Sequence, residues 1–374
     1  MQIAVPKETR DGEKRVALVP DVINKLTKLG LDVVIESGAG VHSQGTDAEY
    51  ESAGAKVISG DVLKTADVVL SVQPLTPTQM SSLKKGAITI SFLSPTTAVD
   101  SIDAAAKAGV TAFSLELVPR ISRAQSMDAL TSQALCAGYR AALVGAELSP
   151  RFFPLLMTAA GTVTPAQVLV LGAGVAGLQA IATARRLGAV VSAYDVRPAS
   201  ADEVRSMGAT FIELELEALE GTGGYAREMT EERAAKQREL LTPHIAKSHV
   251  VITTAAVPGR TAPRLMTQAM VDAMEPGTII VDLAAETGGN VEGSKPGEIV
   301  TTSKGVRIWG GKDVPSQLPF HASSLYSRNV VNLLTLLTKP AKDGAPASFD
   351  INFEDEIITG SALTHNGERR GGNK

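Results

Sequence analysis

Residues 167–195 read QVLVLGAGVAGLQAIATARRLGAVVSAYD, and this stretch decides the fold of the chain. The apolar run 168–171 at its start is typical of a buried parallel strand. A glycine-rich turn follows at once, and apolar residues then recur at helical spacing until Gly188 ends the helix. A second apolar strand begins at Val190 and leads to Asp195. Strand, glycine turn, helix and strand in this order predict an α/β unit that binds a dinucleotide.

Each glycine of the turn has a separate purpose in such a site. Gly172 allows the tight turn, Gly174 lets the backbone approach a pyrophosphate, and Gly177 lets the helix pack closely on the strand. The first helical residues, Val175 and Ala176, present backbone N–H groups and the positive end of the helix dipole to the phosphates. The motif alone also fits an ordinary glycine-rich turn, but the flanking strands and helix favour the dinucleotide site.

The acid that follows the second strand predicts the type of dinucleotide. Asp195 lies 18 residues after Gly177, where a carboxylate binds the adenosine ribose hydroxyls. We predict that Asp195 and the neighbouring Val196 and Arg197 contact this ribose. Because a carboxylate repels a 2′-phosphate, the pattern favours NAD over NADP, although the positive charge of Arg197 weakens that preference.

Length, charge and cysteine content limit the classes of protein that fit. A chain of 374 residues is expected to form two domains, at roughly 150 residues per domain. Its 36 basic and 40 acidic residues give a net charge of −4, so nothing indicates binding to nucleic acid or to an anionic membrane surface. Cys136 is the only cysteine, which excludes intrachain disulfides. The sequence has no apolar run of about 18 residues, so we expect no direct membrane insertion.

Strand and helix signals alternate along both halves of the chain, which predicts the α/β class with two Rossmann-like parallel-sheet domains. Residues 127–148 read as one long helix that links the domains, and a leucine-rich helix near the C-terminus is expected to cross back to the first domain. That domain is therefore expected to be discontinuous, comprising residues 1–127 and 318–374, and the second to span residues 128–317. We expect the cofactor in the cleft between them.

Loops that follow two strands of the second domain add candidates for the cofactor site. Ala255 and Ala256 follow an apolar strand at 250–253, and Glu286 follows another at 277–283. Because the carboxyl ends of parallel strands face the ligand crevice in open α/β sheets, we predict that these three residues line the cofactor site.

Three polar segments are expected to lie outside the cores. Residues 213–232 contain many acids and glycines and predict a mobile flap with Tyr225 as its contact residue, with a disordered insertion as the alternative. Residues 117–126 are a candidate part of the cofactor site, with a solvated linker as the alternative. The glycine-rich tail, residues 366–374, is expected to be frayed.

The most specific motif is PRISRAQSMD at residues 119–128, an arginine–glutamine–aspartate loop. Further motifs are MTAAGTV at 157–163, the glycine turn at 172–177, GGY at 223–225 and DLAAETGG at 282–289. With these motifs in this order, almost the whole chain resembles the NAD(H)-binding component of proton-translocating nicotinamide nucleotide transhydrogenases.

This resemblance implies roles for individual residues. Arg120, Gln125 and Asp128 would hold the nicotinamide and its ribose, where hydride transfer takes place. Thr131 stands where some members of the family have a serine that contacts the same region. Tyr225 would belong to a mobile loop that closes over NAD(H).

The resemblance also implies partners and a location. Hydride would pass directly between NAD(H) on this chain and NADP(H) on a second component, while a membrane component conducts protons. Some members fuse this domain to membrane helices, which this sequence lacks, so we expect it at the cytoplasmic face of the inner membrane, held there by its partner subunits. We also expect a homodimer, because oligomers of this class are usually two-fold.

Alanine dehydrogenase is the main alternative, since that family shares the fold and the segments PKE at 6–8 and RVAL at 15–18. Oxidative deamination needs a cationic anchor for the substrate carboxylate and an acid/base group at the amine. Where that family has a lysine and a histidine, this chain has Gln73 and Ser94, which can serve neither purpose. Arg15 remains, but near a surface turn we expect a structural role for it.

Direct hydride exchange between two nicotinamides involves no proton transfer, so a site without an acid/base residue fits transhydrogenation. The third alternative is a non-catalytic NAD-binding module that reports redox state through a partner, but the loop at 119–128 has no clear purpose there. The five histidines show no metal-ligand spacing, and we expect no metal site.

Overall fold

The computed structural model describes four stretches of the chain, residues 1–216, 230–257, 259–341 and 345–370. They form two compact units, of which the first comprises Met1–Gln133 and Ser316–Lys374, and the second comprises Ala134–Pro315. Tyr225 and most of the segment predicted as a flap lie outside the described residues.

The regular elements follow the alternation that the sequence predicts. In chain order the strands are β1 (Gln2–Val5), β2 (Asp32–Glu36), β3 (Lys56–Ile58), β4 (Val68–Leu70), β5 (Ile88–Ser91), β6 (Thr111–Ser114), β7 (Leu156–Thr158), β8 (Gly161–Val163), β9 (Gln167–Leu171), β10 (Val190–Tyr194), β11 (Thr210–Phe211), β12 (Val250–Thr253), β13 (Ile279–Asp282), β14 (Ile299–Thr301), β15 (Arg307–Gly310), β16 (Thr338–Lys339), β17 (Ser348–Phe349), β18 (Ala362–His365) and β19 (Glu368–Arg369). The α-helices are α1 (Pro20–Thr27), α2 (Asp47–Ser52), α3 (Pro77–Ser82), α4 (Val99–Lys107), α5 (Ala129–Leu148), α6 (Val175–Arg186), α7 (Ser200–Ser206), α8 (Glu231–Ala246), α9 (Gln268–Asp272), α10 (Pro319–Leu337) and α11 (Glu356–Ser361).

The first unit contains a sheet in which six parallel strands lie in the order β3-β2-β1-β4-β5-β6. Strands β18 and β19 extend the sheet beyond β6, each antiparallel to its neighbour. The expectation of a frayed tail was therefore wrong for residues 366–370. Buried Ala362 and Leu363 fix β18 on the sheet, and the β19 residue Arg369 forms an ion pair with Asp103 at 2.6 Å. Residues 371–374 lie outside the described part of the chain.

The second unit repeats this arrangement with six parallel strands in the order β11-β10-β9-β12-β13-β15. Strand β14 is added antiparallel to β15 at one edge. Strand order reverses between β9 and β12, because the chain leaves β9 in one direction and returns to its other side. Ligands of open α/β sheets bind at such a point, beyond the carboxyl ends of the strands. The predicted class, α/β with two Rossmann-like parallel sheets, is confirmed.

Helix α10 supplies one wall of the core of the first unit. Tyr326, Val330 and Leu333 on this helix are fully buried, and they belong to one apolar cluster with Ile3 and Val5 of β1. Each fully buried side chain of this size contributes about 1.5–3 kcal/mol relative to an exposed one. The C-terminal segment is thus an integral part of the unit that begins at residue 1.

Small residues let α5 lie close to α6 in the second unit. A Cβ atom on Gly138 of α5 would lie 2.0 Å from the carbonyl oxygen of Ala176, in the first turn of α6. No side chain fits in that space, so the backbone of α5 packs directly against the start of α6. This contact fixes the helix whose N-terminus follows the glycine turn.

Candidate functional site

The glycine turn after β9 has the geometry that its sequence predicts. Gly172 has a φ of +101°, in a region that other residues rarely adopt. A Cβ on Gly177 would lie only 1.9 Å from the carbonyl oxygen of Gly172, so this position requires glycine for packing. A Cβ on Gly174 would meet no described atom within 4 Å. The space beside Gly174 is therefore open to a bound group.

The turn leads into α6, a helix of twelve residues that begins at Val175. Gly174 is its N-cap residue, and no hydrogen bond from a described side chain caps this end. Val175 is 39% exposed, so the helix N-terminus faces solvent. Backbone N–H groups at the start of a helix, with the positive end of its dipole, attract a phosphate.

Asp195 lies directly after β10, and its carboxylate is held beside the turn. Its Oδ2 atom accepts a hydrogen bond from the Ala173 N–H at 2.7 Å. Its Oδ1 atom accepts bonds from the backbone N–H and the Nε–H of Arg197 at 2.8 and 2.9 Å. The hydrogen bond to Asp195 raises the pKa of Arg197, so both groups are charged. Val196 is half-buried between them.

The loops after β12 and β13 join the turn through side chains that the sequence analysis did not single out. The Thr254 hydroxyl donates to the carbonyl oxygen of Gly172 at 3.0 Å. Asn290, which is fully buried, donates to the carbonyl oxygen of Ala255 at 2.7 Å and accepts from its N–H at 3.1 Å. Asp282 is also fully buried and accepts from the Thr253 hydroxyl at 3.1 Å.

Two further predicted residues of this group lie at the surface. Ala256 is exposed beside Ala255, beyond the end of β12. Glu286 is exposed beyond the end of β13, and its Oε2 atom accepts a hydrogen bond from the Asp313 N–H at 3.0 Å. The structure thus gathers the predicted cofactor-binding residues of the second unit at the carboxyl edge of one sheet.

The arginine–glutamine–aspartate loop belongs to the first unit and contains a short 3-10 helix, Ser122–Met127. Ala124 and Met127 are buried in the core, while Arg120 and Gln125 are exposed. The loop is therefore anchored on its inner side and presents polar groups on its outer side. The alternative of a solvated linker was wrong.

Asp128 lies directly before α5 and contacts Thr131 through both carboxylate oxygens. Its Oδ1 atom accepts from the Thr131 N–H at 2.9 Å, and its Oδ2 atom accepts from the Thr131 hydroxyl at 2.7 Å. This is the arrangement of a helix N-cap, which satisfies a backbone donor that the helix itself leaves unpaired. The predicted residues Arg120, Gln125, Asp128 and Thr131 thus occupy one local segment.

Residues distant in sequence hold this segment in place. The carbonyl oxygen of Ser126 accepts hydrogen bonds from the side-chain amides of Asn329 and Asn332 on α10, at 2.9 and 3.0 Å. Arg123 donates two hydrogen bonds to Asp355, at 2.7 and 3.0 Å. Polar residues on the inner face of a predicted C-terminal helix were the signal in the sequence, but their partners could not be read from it.

Arg15 is buried, so the expectation that it lies near a surface turn was wrong. Its guanidinium donates to both carboxylate oxygens of Glu13, at 2.8 and 2.6 Å, and to Gln133 at 2.9 Å. Burial would raise the pKa of Glu13, but the hydrogen bond from Arg15 lowers it to about 2. Gln73 donates to the same carboxylate at 2.6 Å. Ser94 lies elsewhere, and its N–H donates to Glu116 at 2.8 Å.

A cavity of about 370 Å³ lies beyond the carboxyl ends of β1 and β4 in the first unit, where its strand order reverses. Its walls include Glu8, whose carboxylate accepts from the backbone N–H groups of Val72 and Gln73. Burial raises the pKa of Glu8 to about 7 in spite of these hydrogen bonds. Glu8 therefore changes its charge near neutral pH.

Glu8→Gln is expected to change how stability depends on pH. The folded-state pKa of about 7 exceeds the usual value of 4.5, so the folded state binds more protons between these values. The free energy of unfolding should consequently fall by on the order of 2 kcal/mol as pH rises through this window. In Glu8→Gln that component should be absent. Urea unfolding at about pH 5 and about pH 8 measures it.

The control for this prediction is Glu51→Gln, which changes an exposed carboxyl on α2 of the same unit. It should retain the pH dependence of the unchanged protein. Identical pH dependence in Glu8→Gln and the unchanged protein would contradict the assignment to Glu8.

Among the described residues, no group of three or more histidine, cysteine, aspartate or glutamate side chains is placed to hold a metal ion. In the same portion of the chain, no helix combines the length and the apolar character needed to cross a membrane.

Comparison with known proteins gives consistent matches over almost the entire chain. Residues 4–137 match the family described as alanine dehydrogenase/PNT, N-terminal domain, and residues 141–370 match its C-terminal domain. An NAD(P) transhydrogenase subunit alpha chain of Rhodospirillum rubrum is 47% identical, over 98% of this chain and 97% of the relative. The alanine dehydrogenase of Mycobacterium tuberculosis is 33% identical, over 79% of this chain and 76% of the relative.

Among solved structures, the transhydrogenase of Sinorhizobium meliloti superimposes with a TM-score of 0.85 and 44% sequence identity. The match covers 99% of this chain and 98% of that protein. The resemblance drawn from the sequence motifs is thereby confirmed.

Proposed function

The chain belongs to the alanine dehydrogenase/PNT family, and from this premise we propose that it is the NAD(H)-binding subunit of a proton-translocating transhydrogenase. Hydride passes directly between NAD(H) on this chain and NADP(H) on a partner subunit, and a membrane partner couples the transfer to proton movement. The observation that carries the proposal is the glycine turn with Asp195 held beside it, in a chain so similar over its length to a transhydrogenase subunit.

The residues of the second unit fit a dinucleotide in three respects. The open space beside Gly174 accepts the pyrophosphate, and the exposed start of α6 supplies backbone N–H donors. The carboxylate of Asp195 accepts hydrogen bonds from the adenosine ribose hydroxyls and disfavours a 2′-phosphate, which supports NAD(H) as the cofactor. The loops at Ala255, Ala256 and Glu286 complete the edge on which the cofactor lies.

Residues of the first unit are proposed to orient the nicotinamide. Arg120 and Gln125 are exposed donors on an anchored loop, and the carboxylate of Asp128 is held in one orientation by Thr131. Such fixed polar groups bring a hydride donor and acceptor into a reactive arrangement without any acid/base chemistry. When it is bound, the nicotinamide itself supplies the hydride chemistry.

The contacts of Arg15 and Gln73 argue against amino-acid deamination by this chain. Both side chains are engaged with Glu13 in a buried network, so neither presents an uncompensated positive charge to a substrate carboxylate. Ser94 is unable to exchange a proton at neutral pH. These observations favour hydride exchange over the alanine dehydrogenase reaction.

Assembly is proposed to be two-fold, with attachment to the cytoplasmic face of the inner membrane through partner subunits. The hairpin β7–β8 supports the homodimer, because Met157 on it is 80% exposed and the nearby Phe152 and Leu155 are also exposed. Apolar side chains grouped in this way are typical of a surface that another protein covers. Sedimentation of the chain with Met157→Asp should show monomer where the unchanged chain shows dimer.

A paired assay tests the proposed function. The purified chain is mixed with NADH, pyruvate and ammonia in one reaction, and with an NADP(H)-binding transhydrogenase component, NADPH and an NAD analogue in the other. Turnover in the second reaction alone is the expected result. Turnover in the first would identify an amino-acid dehydrogenase. NADH binding without turnover in either would identify a non-catalytic module.

A further inference from the structure

The side chain of Asn290 uses its whole hydrogen-bonding capacity on one loop. Its Nδ2 atom donates to the carbonyl oxygens of Ala255 at 2.7 Å and Pro263 at 2.8 Å. Its Oδ1 atom accepts from the Ala255 N–H at 3.1 Å. Both amide hydrogens and the amide oxygen are therefore paired, in a side chain with no exposed surface.

The backbone of Asn290 is fixed from two directions. Its N–H donates to the Asp282 carboxylate at 3.3 Å, and Asp282 lies at the buried end of β13. Its carbonyl oxygen accepts from the N–H groups of Leu265 and Met266 at 2.8 and 3.0 Å. Asn290 thus ties the loop after β12 to the end of β13 at several points along that loop.

The same loop contacts the glycine turn on its other side. Thr254 precedes Ala255, and its hydroxyl donates to the carbonyl oxygen of Gly172 at 3.0 Å. A continuous set of hydrogen bonds therefore leads from Asn290 through Ala255 and Thr254 to the turn. The position of the loop relative to the turn depends on this set.

We infer that Asn290 is a positioning residue for NAD(H), which it does not need to touch. It holds Ala255 and Ala256 at the distance from the glycine turn that the cofactor requires. The inference rests on the proposed function, because it assigns Asn290 to the same site.

Asn290→Asp is the sharpest test, because it keeps the shape of the side chain and replaces the two N–H donors by acceptor oxygens. At high pH a carboxylate would face the carbonyl oxygens of Ala255 and Pro263, with the ionisable Asp282 also against residue 290. At low pH the protonated carboxyl donates one hydrogen bond and restores part of the link. The affinity of the variant for NADH should therefore depend on pH.

The experiment measures the Kd of the full chain for NADH by fluorescence at about pH 8 and about pH 6. The ratio of variant to unchanged Kd should be about 10 at the higher pH, as expected for lost buried hydrogen bonds, and should approach 1 at the lower. Asn24→Asp, an exposed position on α1, is the matched control and should give a ratio near 1 at both. Urea unfolding at each pH checks that every variant is folded.

Thr254→Val is a second variant that buries no charge and removes only the bond to Gly172. It should weaken NADH binding by about threefold to tenfold, whether or not Asn290→Asp folds. Unchanged affinity in Thr254→Val, or equal weakening of Asn290→Asp at both pH values, overturns the inference while the proposed function stands. If the unchanged chain fails to bind NADH, the proposed function fails and the inference fails with it.

Discussion

Arg120→Ala should reduce the rate of hydride transfer by about 100-fold while the chain stays folded, since a small displacement of reacting groups is enough for a loss of this size. Arg120 is exposed on a loop whose inner side is anchored by Ala124 and Met127, so truncation leaves the core contacts intact. The measurement is single-turnover hydride transfer with the NADP(H)-binding partner component. Arg328→Ala, an exposed arginine on α10 of the same unit, is the control and should transfer hydride at the normal rate.

The companion position, Asp128, needs two variants because its carboxylate also caps α5. Asp128→Ala should lower both hydride transfer and the free energy of unfolding, the latter by about 1 kcal/mol for the lost cap. Asp128→Asn keeps an oxygen for the Thr131 N–H and removes the charge, so transfer should fall with little loss of stability. Normal transfer rates in both Arg120→Ala and Asp128→Asn would refute the assignment of this loop to the nicotinamide.

Gly174→Ala should lower NADH affinity by about 100-fold or more without changing the free energy of unfolding. Its backbone angles, φ −77° and ψ −169°, suit alanine, and the added methyl group would meet no described atom within 4 Å. The protein alone therefore tolerates the substitution. The methyl group would nevertheless occupy the space that the proposal assigns to the pyrophosphate.

Gly177→Ala is the matched comparison, three residues further along the same turn. Its methyl group would lie 1.9 Å from the Gly172 carbonyl oxygen, so stability should fall by about 1–3 kcal/mol through strained packing. Fluorescence titration with NADH and urea unfolding separate the two variants. Wild-type NADH affinity in Gly174→Ala would show that no dinucleotide approaches the backbone at this point.

The glycine turn and Asp195 could be predicted because strand, turn, helix and second strand are contiguous in sequence. Each residue there follows from a local rule about conformation or spacing. The supports of the site could not be predicted in this way. Asn290 reaches a partner 35 residues away, and Asn329 reaches one at a separation of 203.

Arg15 shows a different limit of the sequence. A charged residue two positions from Glu13 in a polar stretch reads as a surface turn. In the fold both side chains are buried, because each supplies the charge and hydrogen bonds that the other requires. Such mutual compensation depends on tertiary packing, which periodicity and propensity do not describe.

The discontinuity of the first unit has a consequence for synthesis on the ribosome. Residues 134–315, which form the second unit, are translated before any portion of α10. Until α10 emerges, Ile3 and Val5 lack the helix that covers them, and their apolar surface is available for wrong contacts. The second unit is continuous and has no such delay. The region of the molecule that is made first is therefore the last to complete its core.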